Sequence, residues 1–386
     1  MSESFDLNEQ VQKYSAWIEL DLDALTENIT SIKSLLSQET AFIAVVKANA
    51  YGHGIQLLGP ALEENSGVEK FAVYTITEGI ELRSLGLKKP ILIMGPVDVQ
   101  LANLAIEHNL TVTCDSKELG KALAQAALAA GKTASIHLKV DTGMHRFGNT
   151  IEEIVSLEKE FRDDKNISIE GIYTHLANGD LQDDSFSDVQ IAKFEAVLEA
   201  VPNIAFRHVA NSATTIKRPQ LHYQGVRCGL VMYGETPNNI SPPVLKPVLS
   251  LKAHIMRVSN VDTGEGVGYG LQWKASRPSR LGLIPIGYAD GWFRFFSNNG
   301  IVLAGGVKCP IVGTVSMDSF VIDITDSTAD FGDEVVLLGK QKDKKIGISE
   351  TVSKIHTIPY ELLTGLGNRI PRISHRKGII VGILEP

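Results

Sequence analysis

The sequence predicts an α/β fold, an N-terminal (β/α)8 barrel of the TIM type followed by a C-terminal mostly-β domain, and three observations carry that prediction. Short β-branched runs alternate with longer helix-period segments over residues 17–230; the runs number eight; and beyond about residue 245 the texture changes to short apolar runs broken by Gly and Asp turns. The expected division is residues 14–245 for the barrel and 246–386 for the β-domain, with residues 1–13 a candidate addition to the second domain.

After an initial AWIELDL (16–22), the eight strand-like runs are FIAVVK (42–47), FAVYT (71–75), ILIMG (91–95), LTVTC (110–114), SIHLKV (135–140), IEGIYTH (169–175), FRHVA (206–210) and GVRCGL (225–230). Helices belong between them. Leu25, Ile29, Ile32 and Leu36 recur at helical spacing behind Asp23, an expected N-cap, and SKELGKALAQAALAAG and SDVQIAKFEAVLEAV carry the same period. The second domain shows in LSLKAHIMRVSNVDTGEGVGYG, RLGLIPIGYADG and PIVGTVSMDSFVIDITD, with a boundary near SPPVLKP (241–247).

A chain of 386 residues, 44% hydrophobic, can bury two cores. Its net charge of −8 argues against a nucleic-acid or anionic-membrane partner, which would demand clustered positive charge, and leaves a small molecule as the expected ligand. The first residues contain neither a basic stretch nor an apolar run, so a cytoplasmic protein is expected. Cys114, Cys228 and Cys309 lack metal-ligand spacing and read as reduced, buried thiols.

Active sites of such barrels lie at the C-terminal strand ends. There the sequence puts Lys47 on the first strand, Lys139 on the fifth, His175 on the sixth, His208 with Asn211 on the seventh and Arg227 on the eighth. Each alone has a structural explanation, a solvated strand-end cation or a satisfied core histidine. Together they concentrate positive charge at one mouth, which suits a phosphate-bearing cofactor or an anionic substrate. Lys47, delivered by an apolar strand in AVVKANAYGHG, is placed to lose its proton by burial and attack an aldehyde.

VVKANAYGHG, LKVDTGMHRFG, GIYTHLAN, HVANSA, VRCGLVMYG, GVGYG, IPIGYADGW, VSMD and TIPYELL occur in the order seen in alanine racemases, which the chain resembles over roughly residues 16–372. The resemblance implies pyridoxal 5′-phosphate on Lys47, with Tyr51, Ser212, Gly229, Leu230 and Tyr360 around its phosphate. It implies that His175 packs against the ring, that Arg227 donates to the pyridine nitrogen, and that His208 and Asn211 brace them. It further implies a head-to-tail homodimer with shared sites, in which Lys47 serves D-alanine and the partner's Tyr269 serves L-alanine. Arg146 and the Met317 backbone amide would bind the substrate carboxylate. Lys139 resembles a lysine carbamylated in many members, a free lysine being the alternative. Tyr288 and Tyr360 would narrow the entrance, with Asp180 and Arg294 further out. Two positions depart from the pattern: Thr314 stands where arginine is common, and Asn178 where a small residue is common.

The D-alanine produced would supply peptidoglycan synthesis. The nearest rival is a broad-specificity racemase of the same fold acting on serine, lysine or arginine. A decarboxylase or aldolase using the same cofactor would have no need of Tyr269, and a non-catalytic carrier would leave the C-terminal motifs unused.

Overall fold

A computed structural model describes residues 7–236 and 244–386, the side chains of Asn8 and Glu9 excepted. The boundary motif at 241–247 therefore begins outside the described residues.

Strand β1 (Ala16–Asp21) precedes the barrel. The eight expected strands follow as β2 (Ala41–Val45), β3 (Lys70–Val73), β4 (Ile91–Ile93), β5 (Thr111–Cys114), β6 (Ala134–Lys139), β7 (Ile167–Tyr173), β8 (Phe206–His208) and β9 (Gly225–Cys228). Each pairs in parallel with the next, and β9 returns to β2 through Phe42↔Val226 and Ile43↔Arg227, closing the barrel. Burial on both faces explains why β5 and β9 are inaccessible along their whole length. Crossover helices are stopped and started by local chemistry. Thr75 and Thr150 open Ile76–Ser84 and Ile151–Phe161 with capping boxes, and Ser116 opens Lys117–Ala130, which ends on left-handed Gly131. One compact unit comprises Thr26–Ala50 and Gly59–Leu245.

The other unit gathers the described part of Met1–Leu25 with Tyr51–Leu58 and Lys246–Pro386. Its main sheet has 11 strands, with β1 between Leu249–His254, which it pairs antiparallel, and Arg372–Arg376, which it pairs parallel. Residues 14–25, expected with the barrel, thus lie in the second unit: Trp17 and Ile18 bury completely there, and a strand takes the partner that covers its apolar residues, however distant along the chain. Tyr51–Leu58 joins the same unit through glycine. A Cβ on Gly52, at φ +78°, would fall 2.0 Å from the Leu363 carbonyl oxygen, and buried Arg372 donates from Nε to Gly52 O at 3.0 Å.

The helix Leu22–Lys33 is capped by Asp21 and not by Asp23 as expected. Asp21 Oδ1 accepts from the amides of Asp23 and Ala24, both at 2.9 Å, whereas Asp23 accepts from the Lys377 amide. Leu25, Ile29 and Ile32 are buried as expected; Leu36 lies beyond the helix end. No helix among the described residues is long and apolar enough to cross a membrane.

Candidate active site

Lys47 lies just past β2, where the backbone turns left-handed. Ala48, Asn49, Ala50 and Tyr51 have φ between 52° and 55°, and the Ala50 amide donates to Val46 O at 2.9 Å. A non-glycine residue in this region costs on the order of 1–2 kcal/mol, and four in succession persist only where the surroundings impose them. The result is a half-buried amine at the barrel mouth. Burial, then Arg146 and Arg227, push its pKa down against an opposing pull from Glu78, which makes the amine easier to deprotonate than an ordinary lysine.

Arg227 stands on β9 beside this lysine strand and is almost wholly buried, and among the described residues no carboxylate pairs with it. Its terminal nitrogens are nevertheless saturated: Nη1 donates to His208 Nδ1 at 2.7 Å and His208 O at 3.0 Å, while Nη2 donates to Thr174 O, Val209 O and His175 Nδ1 at 2.8, 2.9 and 3.3 Å. For the Nε hydrogen the described residues offer no acceptor. Because a guanidinium only donates, His208 Nδ1 must accept, which puts the His208 proton on Nε2, 2.9 Å from His137 Nδ1. Burial, reinforced by Arg227, holds His208 and His175 well below the usual histidine range and His137 at about 3, so all three stay neutral. Burial also brings Arg227 itself down to about 10.

Lys139 ends β6 in register with Tyr173, which in turn faces His208. Its ammonium sits over the rings of Phe147 and Tyr173, at 4.5 and 5.3 Å. Burial together with Arg227, Arg146 and Lys47 lowers its pKa to about 7. Arg146 is exposed, on the loop after left-handed His145, and reaches these groups through charge alone. The barrel thus brings together Lys47, Lys139, His175, His208 and Arg227 as expected, with Arg146 at the rim.

Asn211 does not brace Arg227 directly; its Oδ1 caps the segment Ser212–Lys217 by accepting from the Thr214 amide. Ser212 Oγ accepts from the Gly229 amide at 3.1 Å, and Leu230 opens a buried 3-10 turn, Leu230–Tyr233. Within the second unit, the Tyr51 and Tyr360 rings lie 5.9 Å apart. There too, in the segment 314–317, Thr314 donates its hydroxyl hydrogen to Tyr269 O, Ser316 O accepts from the Tyr288 amide, and the carbonyl of exposed Met317 accepts from the Ala289 amide. The Met317 amide has no acceptor among the described residues. Arg294 is exposed and opens the turn Arg294–Phe296 of that unit, whose Phe296 is buried. In the barrel unit Asn178 O accepts from the Leu181 amide, and Asp180 is half-buried.

Three participants escape a reading of the sequence. His137 shares the inward parity of Lys139 two residues on, and Tyr173 that of His175; period-2 spacing along a barrel strand is the signal that exposes both. Gly171 makes room for the His137 ring, which a Cβ there would approach to 2.7 Å. Glu78 closes the Thr75 capping box, a signature legible in TITE.

These residues fit a pyridine aldehyde bearing phosphate: an amine biased toward neutrality, a guanidinium N–H without a protein acceptor, and a serine hydroxyl joined to a backbone amide on neighbouring segments. The alanine racemase N-terminal domain profile matches residues 20–237 and its C-terminal counterpart residues 248–374. An alanine racemase of Carboxydothermus hydrogenoformans is 40% identical over 365 residues, covering 92% of this chain and 98% of the relative. A crystal structure of alanine racemase from Bartonella henselae with covalently bound pyridoxal phosphate superposes with TM-score 0.85 at 31% identity, covering 94% of this chain and 100% of that one. A histidine racemase from Leuconostoc mesenteroides subsp. sake superposes with TM-score 0.87 at 30% identity, covering 94% and 98%. With both domain profiles matched across a closed barrel and a β-rich second unit, this chain belongs to the alanine racemase family of amino-acid isomerases.

Proposed function

We propose that this chain interconverts L- and D-alanine with pyridoxal 5′-phosphate joined to Lys47 as a Schiff base, Lys47 and Tyr269 acting as the two bases. The observation that carries this reading is the half-buried Lys47 amine, pushed toward its neutral form among cations, beside an arginine with one N–H left to give. When bound, the cofactor supplies an electron sink that acidifies the α-hydrogen of an attached amino acid.

The chain's own residues do the rest. Arg227 Nε–H would donate to the pyridine nitrogen and, since a guanidinium only donates, would keep that nitrogen an acceptor, which tempers the electron sink the cofactor would supply. Its orientation is held by the neutral His208–His137 pair. Ser212 Oγ, with the Gly229 and Leu230 amides, would hold the phosphate. Lys47 Nζ would remove or return the α-proton on one face, and Tyr269 Oη would do so on the other. Arg146 and the Met317 amide take the substrate carboxylate; Lys139, free or carbamylated, sets the orientation of Arg146.

Tyr269 is 75% exposed and Met317 53% exposed on the second unit, with Leu271 also exposed, which supports a homodimer in which one copy completes the other's site. The proposed setting is the cytoplasm, where unpaired buried Cys114, Cys228 and Cys309 stay reduced, and the proposed use of D-alanine is peptidoglycan synthesis.

The test is borohydride reduction of purified protein reconstituted with pyridoxal 5′-phosphate, followed by peptide mapping and by turnover of each alanine enantiomer. A pyridoxyl group on Lys47 and racemisation in both directions are expected; labelling of another lysine would sink the assignment. A broader racemase is the second reading, favoured by Thr314 and Asn178 near the expected entrance. A panel of L-amino acids decides it: alanine outpaced by serine, lysine, arginine or histidine would replace alanine as the substrate.

A further inference from the structure

We propose that Glu78 is a positioning residue for Lys47, its carboxylate holding in place the left-handed turn that carries the amine. The proposal rests on the reading of Lys47 as the cofactor-linked base.

Glu78 lies in the first turn of the helix Ile76–Ser84, which follows β3, the strand paired with the lysine strand through Val45↔Ala72. Its Oε1 accepts from the Ala48 amide at 2.6 Å, and its Oε2 accepts from the Tyr74 and Thr75 amides at 2.8 and 2.9 Å. One carboxylate therefore ties the residue immediately after Lys47 to the end of the neighbouring barrel strand. Left-handed backbone at Ala48, Asn49, Ala50 and Tyr51 is not held by residue preference, since none of the four is glycine. Within the turn the Ala50 amide donates to Val46 O, and the Glu78 bond restrains the position where the left-handed run begins. A relaxed turn would rotate the Lys47 Cα and swing the amine away from Arg227.

The carboxylate is chemically required. Three N–H groups converge on two oxygens, so Glu78→Gln leaves one oxygen as acceptor and turns an NH2 toward a backbone donor. Glu78 is also the anion that acts on Lys47 against the pull of Arg146 and Arg227. Helix capping alone is the competing role, and Thr75 separates the two. Thr75 Oγ1 accepts from the Glu78 amide at 3.2 Å, so Thr75→Ala breaks the other half of the same capping box without touching Ala48.

The experiment compares wild type, Glu78→Gln, Glu78→Asp and Thr75→Ala by amide hydrogen exchange of the peptide spanning residues 47–52 in cofactor-free protein. Growth of the Schiff-base absorbance on adding pyridoxal 5′-phosphate, and kcat and KM for alanine, are measured alongside. Glu78→Gln is expected to exchange about tenfold faster in that peptide and to lose about 10- to 100-fold in kcat with KM within about twofold, as a misplaced reacting group does. Glu78→Asp, which keeps both oxygens on a shorter arm, should fall between Gln and wild type. Thr75→Ala should lower the melting temperature and leave the 47–52 peptide and kcat unchanged. Wild-type exchange and kcat in Glu78→Gln, or equal losses in Thr75→Ala, would overturn the proposal. If Glu78→Gln does not fold, Glu78→Asp decides in its place: faster exchange with a lower kcat supports the role, and wild-type values of both overturn it. The exchange measurement needs no cofactor, so borohydride labelling of a lysine other than Lys47 in wild type would defeat the underlying assignment while leaving the turn's dependence on Glu78 separately readable.

Discussion

The barrel mouth and the surface that carries Tyr269 are built on opposite terms. At the mouth, Lys47, Lys139, His175, His208 and Arg227 are partly or wholly buried, and each is displaced from its ordinary proton affinity by burial and by its neighbours. On the second unit, Tyr269 and Met317 stand in the open, and the Tyr269 carbonyl accepts from the Thr314 hydroxyl. The mouth is organised within its own unit, whereas the tyrosine surface is open. In the proposed two-base reading, the lysine would act from the organised mouth and the tyrosine from the open face.

The sharpest way to break this comparison is at the lysine. Lys47→Ala should lower racemisation by at least about 10³-fold in both directions and abolish the borohydride-trapped adduct; adduct formation elsewhere with activity retained would move the centre of the chemistry. Next in size, Tyr269→Phe should reduce L-to-D turnover by about 10²- to 10⁴-fold with the cofactor absorbance intact. Because its side chain is exposed, the same change should shift unfolding stability by less than about 0.5 kcal/mol, read in urea titrations.

The mouth should respond to changes that never touch substrate. Gly171→Ala pushes a methyl group into the His137 ring and should cost about 1–3 kcal/mol in stability, measured as a fall in the denaturation midpoint at unchanged slope.

Lys139 gives the most diagnostic effect, because it is read as a slope against pH. Its folded pKa of about 7 lies below the ordinary 10.5, so between those values the unfolded chain holds more protons and stability rises with pH, by at most about 1.4 kcal/mol per unit. In cofactor-free, carbon-dioxide-free buffer, Lys139→Met should therefore be more stable than wild type near pH 7, with the advantage shrinking toward pH 10. A difference that stays flat across this window would show that the amine does not titrate there.

Much of this is legible in the sequence, for identifiable reasons. Barrel strands buried on both faces are apolar runs, so the eight can be counted, and polar residues at their C-terminal ends stand out against that background. His137 and Tyr173 escape because each sits inside an apolar run, where only parity with Lys139 and His175 marks it as inward. The capping role of Asp21 and the place of β1 depart from expectation for a common cause: both depend on where a strand ends and which partner it finds, and local pattern does not carry partner choice.

The amino-acid order by itself determined the family and the barrel with its β-rich companion, because motifs and hydrophobic period are local properties written along the chain. Only the tertiary structure decided that Arg227 keeps a single N–H unspent, that three histidines stay neutral, and that Glu78 grips the turn behind Lys47. Proton affinity and hydrogen-bond saturation depend on what lies within a few ångströms, and those neighbours come from strands far apart in the chain.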